Sequence, residues 1–187
     1  MKRFIITTLL LSVVFCAGCS TKEEALPTYF EFTADEFVSK LKEDWMIDMN
    51  FLQIVDDEEN SKKIFVYTSQ SDVYNFDGYS IDAMMHYHIY CDDITNKVSG
   101  ISFSFDKNSM GDISEARARF YYHIYSIAQT IDINVNLDEI DIALKNVDGI
   151  KDGAEGIGHY EHEKFVLNAF STVTYFDAIF TANNITQ

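Results

Sequence analysis

Two neighbouring stretches, Met84 to Cys91 (MMHYHIYC) and Lys97 to Phe105 (KVSGISFSF), decide the fold that the sequence predicts. In the first stretch, apolar residues at every second position are separated by His86, His88 and Tyr90. Alternation with a period of two places one set of side chains on each face of a β-strand. One apolar and one polar face are typical of an antiparallel sheet that is covered on one side only. The two stretches are therefore predicted to form a β-hairpin.

Three helices are predicted from their first residues and their apolar stripes. The first covers residues 34 to about 46, because Thr33 and Glu36 form a capping box in front of apolar residues at helical spacing. Asp112 precedes the second helix and Asn136 precedes the third. Both are residue types that accept hydrogen bonds from the free N–H groups at the start of a helix.

Further strands are predicted on both sides of this pattern. Phe51 to Val55 and Ile64 to Thr68 are apolar runs that flank an acidic turn at 56–60. Ser69 to Ser80 has the composition of a loop. The tail from Ile157 to Ala182 is rich in aromatic and β-branched residues, and it is interpreted as two strands.

The predicted order of elements is therefore α-β-β-β-β-α-α-β-β. Runs of strands and runs of helices, without regular alternation, indicate an α+β fold. We expect a single antiparallel sheet with about three helices packed on one face. Residues 31–187 form this single domain, residues 1–18 form a signal peptide, and residues 19–30 form a tether.

The N-terminal residues have the organisation of a secretory signal. Lys2 and Arg3 precede an apolar run from Phe4 to Phe15, and this run is shorter than the ~20 residues of a membrane span. The sequence Ala17-Gly18-Cys19 that follows resembles the bacterial lipobox, with Cys16 at the position that Leu usually holds. The resemblance implies that Cys19 receives a diacylglycerol and becomes the first residue of the mature chain. An ordinary secretory signal with an incidental cysteine is the alternative.

Composition limits the partners of the chain. The net charge is −16, and loss of the signal peptide would make the mature chain more acidic still. Nucleic-acid binding needs clustered Lys and Arg, so it is not expected. Adhesion to anionic lipid is not expected either, because the body of the protein would be repelled. After lipidation of Cys19 and loss of Cys16, Cys91 is alone, and no intrachain disulfide can form.

The polar side of the hairpin is the candidate binding face, and it consists of His86, His88 and Tyr90. No nucleophile motif, phosphate-binding loop or zinc-protease motif is present, so no catalytic residue, metal or cofactor is predicted. If the strand with His86 and His88 paired with the strand near His159 and His162, a zinc site with the adjacent glutamates would be conceivable. A solvated row of side chains is the preferred interpretation.

Two short motifs extend the resemblance beyond the lipobox. The segment Thr33 to Phe37 (TADEF) and the turn Asp92 to Val98 (DDITNKV) are similar to those of small uncharacterised lipoproteins of Gram-positive bacteria. That resemblance implies an anchored domain, and it implies no activity or catalytic residue.

The functional expectation is a lipid-anchored protein on the extracytoplasmic side of the cell membrane. It would act as a non-enzymatic binding module for an unidentified protein or small molecule. The alternative is a surface hydrolase that uses a carboxylate pair or a His–carboxylate metal site.

Overall fold

The computed structural model describes residues 29–74, 80–107, 112–148 and 156–183. The signal peptide, Cys19 and the tether up to residue 28 lie outside the described residues. The helices are α1 (Ala34–Trp45), α2 (Ile113–Ile131) and α3 (Leu137–Asp148). The strands are β1 (Asn50–Asp57), β2 (Lys62–Tyr74), β3 (Ser80–Asp92), β4 (Val98–Asp106), β5 (Gly156–Glu161), β6 (Phe165–Ser171) and β7 (Tyr175–Ala182).

All seven strands form one open antiparallel sheet. Their order is β1-β2-β3-β4-β7-β6-β5, so the C-terminal strands extend the sheet from β4 outward. This architecture confirms the α+β class and the single antiparallel sheet. Within the described ranges, no helix combines the length and the apolar character that crossing a membrane requires.

The hairpin predicted at the centre of the chain is confirmed as β3 and β4. Tyr87 lies opposite Phe103, and both side chains are buried. The residues on either side of Tyr87, His86 and His88, point to the other face of the sheet, as the alternation of the pattern requires.

The helix starts also follow the predicted signals. Thr33 accepts a hydrogen bond from the Glu36 N–H at 3.3 Å, and the Glu36 carboxylate accepts one from the Thr33 N–H at 2.8 Å. Asp112 accepts a hydrogen bond from the N–H of Ser114 at 2.8 Å at the start of α2. Asn136 similarly accepts from the N–H of Asp138 at the start of α3.

Two predictions about strands are wrong. Residues 69–74, predicted as loop, continue β2, because each of them pairs with a residue of β3. The segment 157–182 contains three strands, and two were predicted. The missed turns contain neither glycine nor proline, and side chains close them: Thr172 accepts from the Tyr175 N–H at 2.9 Å, and His162 accepts from the Lys164 N–H at 3.3 Å.

The buried side chains form one hydrophobic core that includes residues of the sheet and of all three helices. At its centre the ring of Phe120 from α2 lies 5.3 Å from that of Phe103 and 5.0 Å from that of Phe176. At the edge of the sheet formed by β5, helix α3 lies very close to the strand. A Cβ added to Gly158 would lie 2.7 Å from the Ala143 carbonyl oxygen. Glycine at this position therefore permits the contact between helix and strand.

Candidate functional site

The side chains predicted as a binding face lie in one row along β3. The register places Ser104 beside His86, Ser102 beside His88, and Gly100 beside Tyr90. On the next strand, β7, Asp177 lies opposite Ser104 and Ile179 lies opposite Ser102. We call this surface the histidine face, and it consists of His86, His88, Tyr90, Ser102, Ser104, Asp177 and Ile179.

The histidine face is partly open to solvent. His86 is exposed, His88 and Tyr90 are half-buried, and the Ile179 side chain on the neighbouring strand is 40% exposed. Aromatic and aliphatic area therefore lies beside polar groups that can form hydrogen bonds. Such a mixture is typical of protein interfaces.

Hydrogen bonds within the histidine face occupy its only carboxylate. Ser104 donates to the Oδ1 atom of Asp177, and the hydroxyl oxygens of Tyr90 and Ser102 are 3.4 Å apart. Partial burial, and then the neighbouring His86, lower the pKa of His88, so its imidazole is neutral at pH 7. His88 thus offers a neutral ring that can both donate and accept a hydrogen bond.

The structure separates the two histidine pairs that the sequence left as a conceivable zinc site. His86 and His88 are on β3, whereas His159 is on β5 and His162 follows it. Strands β4, β7 and β6 lie between β3 and β5, so the condition for that site is not met. His159 instead contacts Asn168 at 2.8 Å and Glu161 at 3.1 Å, and these contacts raise its pKa.

A different cluster, which the sequence did not reveal, joins the end of α2 to the turn between β5 and β6. One ligand atom from each of Asp132, His162 and Glu163 lies within 4.8 Å of the other two. His and carboxylate groups at such distances can hold a divalent cation. Asp132 is buried, while Glu163 is exposed.

In this cluster, the Asp132 carboxylate already has a cationic partner. The Nζ atom of Lys164 lies 2.9 Å from Oδ2 of Asp132, and the Asn134 N–H donates to Oδ1 at 3.1 Å. The bond from Lys164 is the main cause of the lowered pKa of Asp132, and burial acts in the opposite direction. The ion pair between Asp132 and Lys164 therefore links the end of α2 to the β5–β6 turn.

Local sequence patterns predict only part of this arrangement. Asn136 was predicted to precede the third helix, and it accepts a hydrogen bond there. In the turn before it, the Asn134 N–H donates to Asp132. The approach of Lys164 to Asp132 depends on where β5 and β6 lie in the sheet. No local pattern predicts that position.

A histidine is also buried in the core. The hydroxyl of Tyr87 bonds to Nδ1 of His123, and both residues are almost fully buried. Burial, and then the charge of Arg119, lower the pKa of His123 to about 3. This imidazole is neutral at physiological pH, and its ring lies 6.0 Å from the ring of Phe103. Tyr87 and His123 therefore form a buried polar pair within the packed core.

Searches of protein-family models, curated proteins and solved structures found nothing that matches this chain.

Proposed function

We propose that the chain is a non-enzymatic binding module, held by a lipid on Cys19 at the extracytoplasmic side of the cell membrane, and that the histidine face is its binding surface. The observation that carries the choice of surface is the strand register. It places His86, His88 and Tyr90 in one partly exposed row, beside polar and aliphatic neighbours on β4 and β7.

The proposal includes the position of the helices, which we place together on the opposite face of the sheet. Contacts to buried strand residues support this placement. In α2, Phe120 packs on Phe103, and His123 bonds to Tyr87. In α3, Ala143 approaches Gly158. In α1, the backbone N–H of Ala34 bonds to the Cys91 thiol. With the helices on that side, the histidine face is left free for a partner.

The charge of the histidine face distinguishes it from the rest of the chain. The chain as a whole has a net charge of −16, whereas this face contains one carboxylate, and that carboxylate accepts a hydrogen bond from Ser104. Binding at this face would remove few charges from water, so the free-energy cost of desolvation would be small. A protein surface, or a polar small molecule with apolar parts, fits that chemistry.

The anchor rests on the lipobox resemblance at Ala17-Gly18-Cys19. Each buried methylene of an acyl chain contributes ~0.8 kcal/mol, so the two chains of a diacylglycerol hold a protein stably where one chain does not. A covalent anchor also suits a body whose negative charge is repelled by anionic lipid.

The binding surface can be tested by site-specific crosslinking in intact cells. A photo-crosslinking amino acid is placed at position 88 of the full-length chain, and a matched variant carries it at position 142, an exposed site on α3. We expect a discrete adduct from position 88 and none from position 142. The double variant His88→Ala with Tyr90→Ala, crosslinked from position 86, should lose the adduct while its melting temperature changes little, because these side chains are not in the core.

Adducts from position 142 without any from position 88 would contradict the choice of surface. The absence of adducts from both positions would contradict it too. Full retention of the adduct in the double variant would show that neither His88 nor Tyr90 contributes to binding.

A further inference from the structure

The geometry points to a second binding surface, at the free edge of the sheet: β1 accepts an extended segment of a partner protein that carries alternating apolar side chains and a basic end. This segment would add to the sheet as a further strand beside β1. It would place an apolar side chain in the groove between β1 and α1. The surface lies outside the histidine face, so the inference goes beyond the function proposed above.

Strand β1 has a free edge and exposed apolar side chains. It is the first strand of the sheet, and among the described residues only β2 pairs with it. Its N–H and C=O groups on the other side can therefore pair with another chain. Four large apolar side chains are exposed along it: Phe51 (54%), Leu52 (55%), Ile54 (48%) and Val55 (41%). Phe51 and Ile54 lie together on the face that adjoins α1. Exposed apolar area of this kind marks interaction sites in soluble domains.

A groove runs beside this edge. Its volume is about 450 Å³, and it is bounded by Asp35 and Val38 of α1 and by Phe51 and Ile54 of β1. The ring of Tyr67 lines the groove and lies 5.6 Å from the ring of Phe51. An incoming strand directs every second side chain toward the groove. Main-chain pairing combined with pockets for alternate side chains is how domains bind extended peptides.

The charges around the edge determine the partner's charge. Asp35 lies in the wall of the groove, and β1 ends with Asp56 and Asp57. On β2, Lys63 and Lys62 lie opposite Asp56 and Asp57, and Lys63 also forms an ion pair with Asp93. Together with Asp35, Glu58 and Glu59, the acidic groups around this edge still outnumber these two lysines. A segment with Lys or Arg at the end that pairs with Asp56 and Asp57 is therefore favoured. Opposite charges directly across a strand pair stabilise the pairing.

The same charges disfavour a second copy of this chain as the occupant. Two copies with a net charge of −16 each repel one another. The strand also has a bulge between Phe51 and Gln53, a feature that protects sheet edges against pairing with a like edge. From Gln53 to Asp57 the register is regular, and this part is free to pair with a partner segment.

The test uses a displayed library of random peptides, selected on the full-length protein in detergent micelles. We expect enriched peptides with alternating apolar residues and a basic end. An enriched peptide should protect the backbone amides of Gln53 to Asp57 from hydrogen exchange. Ile54→Glu should weaken its binding about tenfold or more. The matched control is Val173→Glu, which changes an exposed residue (71%) in the β6–β7 turn and should leave binding unchanged.

Three outcomes would overturn the inference. The first is selection that enriches nothing on the wild-type protein relative to the Ile54→Glu variant. The second is enrichment of peptides without basic ends, or protection from exchange away from β1. The third is protection of β1 that rises with protein concentration when no peptide is present, since this would make a second copy the occupant.

Discussion

His123 shows how one residue in the core makes the stability of the fold depend on pH. Its ring is buried beside Tyr87 and Phe103, and its pKa is lowered to about 3 by burial and by Arg119. In the unfolded chain the same imidazole has a pKa of ~6.5. Between these two values the unfolded chain binds a proton that the folded chain does not bind. Stability therefore falls as the pH drops below ~6.5.

The variant His123→Phe isolates this effect. Between about pH 6.5 and pH 5 the wild-type protein should lose ~2 kcal/mol more of its free energy of unfolding than the variant does, since one proton is worth ~1.4 kcal/mol per pH unit. Denaturant titrations of both proteins at the two pH values measure the difference. Carboxylates with a lowered pKa, such as Asp92 and Asp132, also contribute less to stability at the lower pH. This loss is the same in both proteins, so it cancels in the difference between them. Equal losses in the two proteins would show that His123 is protonated in the folded state.

At the scale of single residues, the alternation of apolar and polar residues was enough to predict which side chains of β3 share a face. His86, His88 and Tyr90 were assigned to one face, and the strand register agrees. The bond between Asp132 and Lys164 joins residues 32 positions apart through the order of the strands. The sequence around Asp132 and the sequence around Lys164 contain no local pattern that predicts this contact.

At the scale of elements, α3 and β5 depend on one glycine for their packing. A Cβ added to Gly158 would lie 2.7 Å from the carbonyl oxygen of Ala143 and 2.8 Å from Cγ2 of Val147. These distances are shorter than ordinary van der Waals contacts, so the helix would have to move away from the strand. Gly100, on β4, has room by comparison: the nearest atom to an added Cβ would be the Phe180 carbonyl oxygen at 3.4 Å.

The two glycines thus form a matched pair for mutation. Gly158→Ala should lower the free energy of unfolding by ~1–3 kcal/mol, the usual cost of overpacking a core. Gly100→Ala should change it by less than ~1 kcal/mol, since glycine in a strand is itself unfavourable. Thermal and chemical denaturation of the two variants provide the comparison. Equal destabilisation by both substitutions would contradict the close contact between α3 and β5.

Element ends were predicted well where the signal was local, and poorly where it was not. The capping box of Thr33 and Glu36 is contained in four residues, and α1 begins as expected. The turns at His162 and Thr172 use side-chain hydrogen bonds in place of glycine or proline, so the tail looked like two strands. Residues 69–74 look like loop residues, yet they form strand because β3 pairs with each of them.

At the scale of the whole molecule, the proposed anchor would attach to the domain at one end of the sheet. The hydroxyl of Tyr29 donates to Asp92 at 2.8 Å, and the Phe30 N–H donates to the Val98 carbonyl at 2.7 Å. The described chain therefore begins at the end of the sheet where β3 turns into β4. Ten residue steps separate Cys19 from Tyr29, so in the anchored state Tyr29 can lie at most ~36 Å from Cys19.

The acidic β1–β2 turn lies close to the proposed point of attachment. The β1–β2 turn contains Glu58 and Glu59, directly after Asp57 at the end of β1, and it lies at the same end of the sheet as Tyr29. Its negative charge would be repelled by anionic lipid, so this end of the domain would be held away from the membrane surface within the reach of the tether. The histidine face and the free edge of β1 would then remain accessible to partners.

The membrane anchor is the claim on which this account depends most, and the mass of the N-terminal peptide of the membrane-bound protein tests it most directly. We expect a mature chain that begins at Cys19 and carries a diacylglycerol on its sulfur. The matched variant Cys19→Ala should lack the lipid and should leave the membrane fraction, or retain residues 1–18. A wild-type peptide with an unmodified Cys19, or equal incorporation of a labelled fatty acid in the wild-type protein and the variant, would contradict the account.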